Sequence, residues 1–216
     1  MKAPGKKVSI LGIGVSGAAS AVFLASRGFE VFVSDQGDSV AVRARVELLK
    51  KRGIETETGG HTLSRITQSD WVVISPGIAP ASPVVQELRS HSIPVFNEIE
   101  VASWFCPSEN IIAVTGSSGK TTVSTLLGRV FQKAKGRSWV CGNIGNPWIA
   151  EMDSIQKNDF VIVEVSSFQL AYCESFRPRA ALLLNLSPNH QDWHPDMQDY
   201  AQAKLRLFVH PKEEIL

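Results

Sequence analysis

The sequence predicts an α/β protein built on parallel sheets, and three observations carry that expectation. A glycine turn, Gly12-x-Gly14-x-x-Gly17, directly follows the apolar strand Val8–Leu11. A second loop, Gly116-Ser117-Ser118-Gly119-Lys120-Thr121-Thr122, follows the apolar run Ile111–Thr115 and opens an amphipathic helix. Around both, short β-branched runs alternate with helical patterns, which is how strand–helix–strand crossovers read.

At 216 residues, 44% hydrophobic and 20% charged, the chain is an ordinary soluble globular protein with room for two small domains or one large one. A net charge of +1 gives no electrostatic case for bulk nucleic-acid or membrane binding. Cys106, Cys141 and Cys173 are odd in number and widely spaced. That favours reduced thiols in a cytoplasmic protein over disulfides or zinc. Lys2, Lys6 and Lys7 before an apolar stretch imitate a secretory leader, but the glycines break its helical core. No run reaches the ~18 apolar residues of a membrane span.

In the first half, Gly12, Gly14 and Gly17 permit a tight turn, approach of backbone to a diphosphate, and close helix–strand packing. A helix ends at Gly28, and the strand Glu30–Ser34 ends in Asp35. Val40–Lys51 reads as helix, Ile54–Thr58 as extended, and Trp71–Ser75 as a buried strand broken at Pro76-Gly77. Ser82–Ser90 is helical and Ile93–Phe96 a short strand. In such a sheet ligands sit beyond the carboxyl ends of the strands. Gly12–Gly17, Asp35 and Ser75-Pro76-Gly77-Ile78 would lie there, although Ser75–Ile78 reads equally as a plain turn. By itself this half fits a dinucleotide, with Asp35 on the ribose of NAD.

A polar break at Pro107–Asn110 separates domains at 1–106 and 107–216. In the second, strand, tight turn and helix N-terminus aim backbone N–H groups at one point, where phosphate binds well. Lys120 adds a charge for the phosphates and Thr121 a hydroxyl for Mg²⁺. Val114 stands where the general P-loop pattern has its first glycine. Val123, Leu126, Leu127, Val130 and Phe131 recur at helical spacing and are expected to be core. Asn143 lies in a Gly-Asn turn. Glu164 ends an almost wholly apolar strand, where a carboxylate needs a cation or several donors, and is well placed for Mg²⁺. After the buried strand Ala180–Asn185 come His190, Asp192 and His194 in a proline-flanked loop, which a zinc centre fits less well than one histidine joining a Mg²⁺ site. The helix Met197–Phe208 carries Lys204, by itself a surface lysine.

These residues together resemble the Mur ligases, ATP-dependent enzymes of bacterial cell-wall peptide synthesis. The resemblance runs from Gly12 to Lys204. TGSSGKTT resembles the family's loop, which also lacks the first P-loop glycine, and Ser75-Pro76-Gly77-Ile78, GNIGNP and SSFQL after Glu164 resemble its D-glutamate-adding branch. The fold implied is a Rossmann-like N-terminal domain followed by an incomplete P-loop ATPase-type central domain. The implied substrates are UDP-N-acetylmuramoyl-L-alanine, D-glutamate and ATP, joined through an acyl phosphate.

By position, the resemblance implies that Gly14, Val15, Ser16 and Gly17 meet the diphosphate and Asp35 the uracil. Gly77, Asn143, Ser166, Gln169 and His190 would contact the substrate. Gly37 departs from the family in offering no side chain to the uracil. Gly116–Thr122 would cradle ATP, with Lys120 on its phosphates, and Thr121 and Glu164 would bind one Mg²⁺. His190 and an N6-carboxylated Lys204 would serve a second, with Asp192 near the γ-phosphate. The resemblance also leads to the expectation that the chain is an inactive fragment lacking a C-terminal D-glutamate-binding domain. An NAD-dependent oxidoreductase and a non-catalytic nucleotide-binding module remain open on the residues alone.

Overall fold

Val8, Ile10 and Leu11, with Ser9 between them, are buried because their strand has neighbours on both edges, the usual fate of a largely apolar strand inside a parallel sheet. That strand begins a computed structural model that describes residues 3–189 and 193–208. The chain forms two units that divide between Trp104 and Phe105.

The first unit runs β1 (Lys7–Leu11), α1 (Val15–Ser26), β2 (Glu30–Asp35), α2 (Val40–Lys50), β3 (Glu55–Thr58), α3 (Leu63–Ile66), β4 (Trp71–Ile74), α4 (Pro83–Ser90), β5 (Val95–Asn97) and α5 (Glu98–Phe105). Its strands are all parallel in the order β3-β2-β1-β4-β5. The order reverses between β1 and β4, so the loops after those two strands diverge and leave a crevice. Trp71 is fully buried, donates from its indole to the Gly5 carbonyl at 3.1 Å, and packs against Phe29, Phe96 and Trp104.

The second unit runs β6 (Ile111–Thr115), α6 (Lys120–Lys135), β7 (Ser138–Gly142), a 3-10 turn at Trp148–Glu151, β8 (Phe160–Glu164), α7 (Ser167–Leu170), β9 (Ala180–Leu183) and α8 (Met197–Leu205). Its sheet is also parallel, in the order β7-β8-β6-β9. β6 therefore occupies the switch position, and the loop following it opens at the carboxyl edge.

Two expectations need correction. β9, expected as a buried strand over Ala180–Asn185, spans Ala180–Leu183 and is exposed to half-buried, because it ends the order of strands in its sheet. The apolar stripe of α6 is not uniformly core: Leu126 is 59% exposed and Val130 52%. Ser124 and Gly128 face the sheet instead, because α6 lies so low that a Cβ on Gly128 would collide with the Val140 side chain. Larger residues are displaced to the flanks, where Phe131 stacks on Phe160 with ring centroids 4.3 Å apart. One element went unread in the sequence: α5, which the pattern of charges hides. Glu98 and Glu100 are buried there, and the helix is started by Asn97, whose side-chain oxygen accepts from the Glu100 N–H at 2.9 Å.

Gly17 brings α1 onto the first loop so closely that a Cβ would strike the Gly12 carbonyl oxygen, a backbone atom that cannot swing away. Gly17→Ala should therefore destabilise the first unit by about 1–3 kcal/mol, read as a lower urea midpoint with unchanged slope. An unchanged midpoint would show that the helix can lift without cost.

Candidate active site

The loop after β6 is shaped by its glycines and held from outside. Gly119 caps α6 with φ +79°, a left-handed conformation that favours glycine. The segment following β9 grips the loop: Ser117 N–H donates to the Asn185 carbonyl at 3.1 Å and Ser118 N–H to its side-chain oxygen at 3.0 Å. Two ammonium groups then converge on one atom. Lys120 Nζ donates to the Gly116 carbonyl at 2.9 Å and Lys204 Nζ to the same oxygen at 3.1 Å. Lys120 also donates to the Ser117 carbonyl, and Lys204 to Thr115 Oγ1 at 3.3 Å.

Lys204 is not a surface residue: it is 1% exposed. Burial, and then repulsion from Lys120, pull its pKa down to about 8. The one signal in the sequence is that the lysine lies on the same helical face as Tyr200, four residues earlier, which is also buried. Tyr200 also shares a 3.0 Å hydrogen bond with Ser117 Oγ.

Glu164, at the carboxyl end of β8, is 2% exposed. Register places it opposite Val114, one residue before Thr115 and the loop. Its Oε2 accepts from Thr121 Oγ1 and its Oε1 from Asn143 Nδ2, both at 2.9 Å. The carboxylate is thus satisfied by neutral donors, and it lies within one hydroxyl of the loop. Asn143 touches Glu164 directly, a role its Gly-Asn turn did not announce. Ser166 and Gln169 form a reciprocal capping box that starts α7, with Ser166 N–H donating to Gln169 Oε1 at 2.9 Å. Thr122 is exposed in the first turn of α6. His190 and Asp192 lie outside the described residues. Among the described residues, no group of three or more His, Cys, Asp or Glu is placed to hold a metal.

In the first unit, the crevice between β1 and β4 holds a cavity of about 540 Å³ lined by Gly12, Asp35, Gln36, His61 and Ile78 among others. Gly14 precedes α1 in extended conformation, with Val15 exposed and Ser16 half-buried in the first turn. Asp35 is fixed by backbone: Oδ2 accepts from Ile13 N–H at 2.5 Å and Oδ1 from Gly37 N–H at 2.7 Å. Gly37 therefore serves through its amide, where the sequence marked only a missing side chain. Gly77 is exposed in the turn after β4. Two further residues went unnoticed in the sequence. Arg45, from α2, donates to the Ile13 carbonyl at 3.3 Å. The imidazole of His61 meets Ser34 Oγ at 2.6 Å, and burial lowers its pKa.

The two units match known family models separately. Residues 6–97 match the Mur ligase MurD-like N-terminal domain, and residues 114–216 match the Mur ligase middle domain. The chain belongs to the Mur ligase family. This Mur ligase chain is 41% identical over 213 residues to the UDP-N-acetylmuramoylalanine–D-glutamate ligase of Koribacter versatilis, covering 99% of the chain and 47% of that protein. It is 41% identical over 203 residues to the like-named ligase of Pelobacter propionicus, covering 94% and 45%. The chain thus spans about half the length of the curated relatives it matches. Among solved structures, UDP-N-acetylmuramate:L-alanyl-gamma-D-glutamyl-meso-diaminopimelate ligase of Neisseria meningitides superposes with a TM-score of 0.59 at 20% identity, over 94% of this chain and 67% of that one. A murein peptide ligase of Psychrobacter arcticus gives 0.54 at 18% identity, over 94% and 47%. At those identities the likeness bears on the fold, which is the parallel α/β arrangement expected from the sequence.

The depressed pKa of Lys204 carries a sign. Between about 8 and the ordinary lysine value of 10.5, the unfolded chain binds a proton that the folded chain has released. This group's contribution to stability therefore rises with pH across that window. The stability difference between wild type and Lys204→Met should shift in favour of wild type from about pH 7.5 to about pH 10, by parallel urea titrations. A difference independent of pH would mean that the ammonium is not desolvated.

Proposed function

We propose that this chain carries the sugar-nucleotide and ATP sites of an ATP-dependent ligase that adds D-glutamate to UDP-N-acetylmuramoyl-L-alanine in cytoplasmic peptidoglycan synthesis. The single observation that carries the reading is the cluster at the end of β6. There Lys120 and Lys204 meet on the Gly116 carbonyl, and the buried Glu164 touches Thr121 in the same loop–helix junction. The names and 41% identity of the relatives over nearly the whole chain support the choice of substrates.

The residues fit the groups this reading needs. Glu164 and Thr121 offer a carboxylate and a hydroxyl, both hard oxygens suited to Mg²⁺, which is usually held by one or two carboxylates with waters and substrate phosphates supplying the rest. Bound Mg²⁺ would supply positive charge to phosphoryl oxygens. The Gly116–Thr122 loop would cradle phosphate with the amides that Asn185 does not already hold and with the α6 N-terminus, and Lys120 would leave its loop carbonyls to neutralise it. The proposal includes a second Mg²⁺ served by His190 and an N6-carboxylated Lys204, with Asp192 near the γ-phosphate. A lysine with its pKa near 8 has more free amine at neutral pH than an exposed one. That amine can add to CO₂, lose a proton and become an anionic oxygen ligand.

The reaction proposed begins with attack of the L-alanyl carboxylate oxygen on the γ-phosphorus, giving an acyl phosphate and ADP. The D-glutamate amine then adds to the acyl carbon, loses a proton and expels phosphate. The chain's part in the first step is positioning and charge neutralisation between two anions. In the first unit, the cavity beside Asp35 would hold the uracil. The Gly14–Gly17 turn, with Val15 and Ser16, would hold the diphosphate, and Gly77 would touch the sugar side.

Calorimetry separates this reading from the one Asp35 favours next, an NAD-dependent oxidoreductase. The chain should bind UDP-N-acetylmuramoyl-L-alanine and not NADH, and the reverse result would overturn the proposal. Lys120→Ala should weaken ATP binding by roughly 10–100-fold, the loss of a charge-assisted contact of about 1.5–3 kcal/mol. UDP-substrate binding should stay unchanged. Glu164→Ala should remove the Mg²⁺ dependence of ATP binding, and a dependence that persisted would take Glu164 out of the metal site.

A further inference from the structure

We infer that His194 is a positioning residue that sets the place of α8 against α7, and through it the place of Lys204 beside the phosphate loop. The catalytic meaning of that placement rests on the function proposed above, whereas the placement itself does not.

His194 is 1% exposed and is engaged at both nitrogens. Nδ1 lies 2.6 Å from Asp199 Oδ2, and Nε2 lies 2.9 Å from Ser167 Oγ. The carboxylate takes an N–H, so a proton sits on Nδ1, while Nε2 shares a hydrogen with the Ser167 hydroxyl, which can either donate or accept. Each partner opens a helix of the site. Ser167 is the first residue of α7, three after Glu164, and Asp199 lies in the first turn of α8. The rings of Phe168, Trp193 and Tyr200 pack around the imidazole with centroids 5.8, 4.5 and 5.2 Å away.

A serine, histidine and carboxylate in this sequence of contacts look like nucleophilic machinery. Ser167 is 2% exposed, however, too enclosed to meet a substrate. The arrangement is a tether. It completes a row of pins along α8: Asp199 through His194 to α7, Tyr200 to Ser117, and Lys204 to Thr115 and Gly116. A helix of nine residues is too short to hold itself in place and depends on such pins. An axial slip of one residue is about 1.5 Å, enough to carry Lys204 Nζ out of hydrogen-bond range of the loop.

The test follows the lysine directly, without nucleotide. The chain is labelled with ¹³C at lysine Cε, and the Lys204 signal is assigned by its loss in Lys204→Arg. His194→Ala should move that signal most of the way toward the position of exposed lysines, and Ser167→Ala should move it in the same direction by less. Ile155→Ala, a core truncation elsewhere in the same unit, should lower stability without moving it. A Lys204 signal unmoved in both tether variants, or moved equally by Ile155→Ala, would overturn the inference. Should His194→Ala not fold, Ser167→Ala against Ile155→Ala decides. The calorimetric arms of the functional proposal can fail or succeed independently of this signal.

Discussion

The second unit depends on a buried carboxylate finding its donors. Glu164 ends β8 with almost no access to water, and an unpaired charge there would cost several kcal/mol. Thr121 and Asn143 offset that cost, and in doing so they fix three segments against one another. The start of α6 comes from Thr121, the turn after β7 from Asn143, and the central strand from Glu164 itself. A loop stretched between β6 and α6 then has little freedom left. Its shape is settled by the carboxylate beneath it and by Asn185 beside it.

Charge is arranged around that point with a purpose the packing alone does not require. Two lysines donate to a single carbonyl, and their mutual repulsion adds to burial, the larger cause, in lowering the pKa of Lys204. An anion entering the loop would relieve that repulsion and replace the carbonyl as the partner of Lys120. Glu164, spent on neutral donors, does not quench the lysines. Its oxygens can keep those partners while accepting a cation through their remaining lone pairs. The first unit handles charge differently. Asp35 is bound by the amides of Ile13 and Gly37, and Arg45 reaches the same turn through the Ile13 carbonyl.

The parallel strands were legible in the sequence because β4, β6 and β8 are apolar almost throughout and β1 is interrupted after Lys7 only by Ser9, each ending at a glycine or a polar residue. The glycine turns were legible because their spacing is dictated by backbone geometry. Lys204 was not, since its spacing from Tyr200 alone does not separate a buried lysine from an exposed one. Its burial comes from Thr115 and Gly116, nearly ninety residues away in the chain. α5 escaped notice because its buried glutamates mimic a solvated face. His194 read as a poor zinc ligand, and its true partners, Ser167 and Asp199, come from two different helices. In α6 the period was right but the phase was wrong, because the helix presents its smallest residues to the sheet.

That smooth underside of α6 has a consequence for which changes the chain can absorb. Ser124 and Gly128 have no large side chain to interlock with the sheet, so the helix is secured at its N-terminal end and along its second half, where Phe131 stacks on Phe160. Thr121 holds the N-terminal end to Glu164, while Ser138 Oγ donates to the Gly128 carbonyl at 2.7 Å and Ser138 N–H to Gln132 Oε1 at 3.1 Å. Its outer face, with Leu126 and Val130, is open to substitution. Its length is not. One residue inserted between Thr121 and Gln132 would turn the far end by about 100° and swing bulky side chains beneath a helix that has no room for them. The outer face can therefore drift in composition, while the helix remains intolerant of side chains at Gly128 and of insertions and deletions.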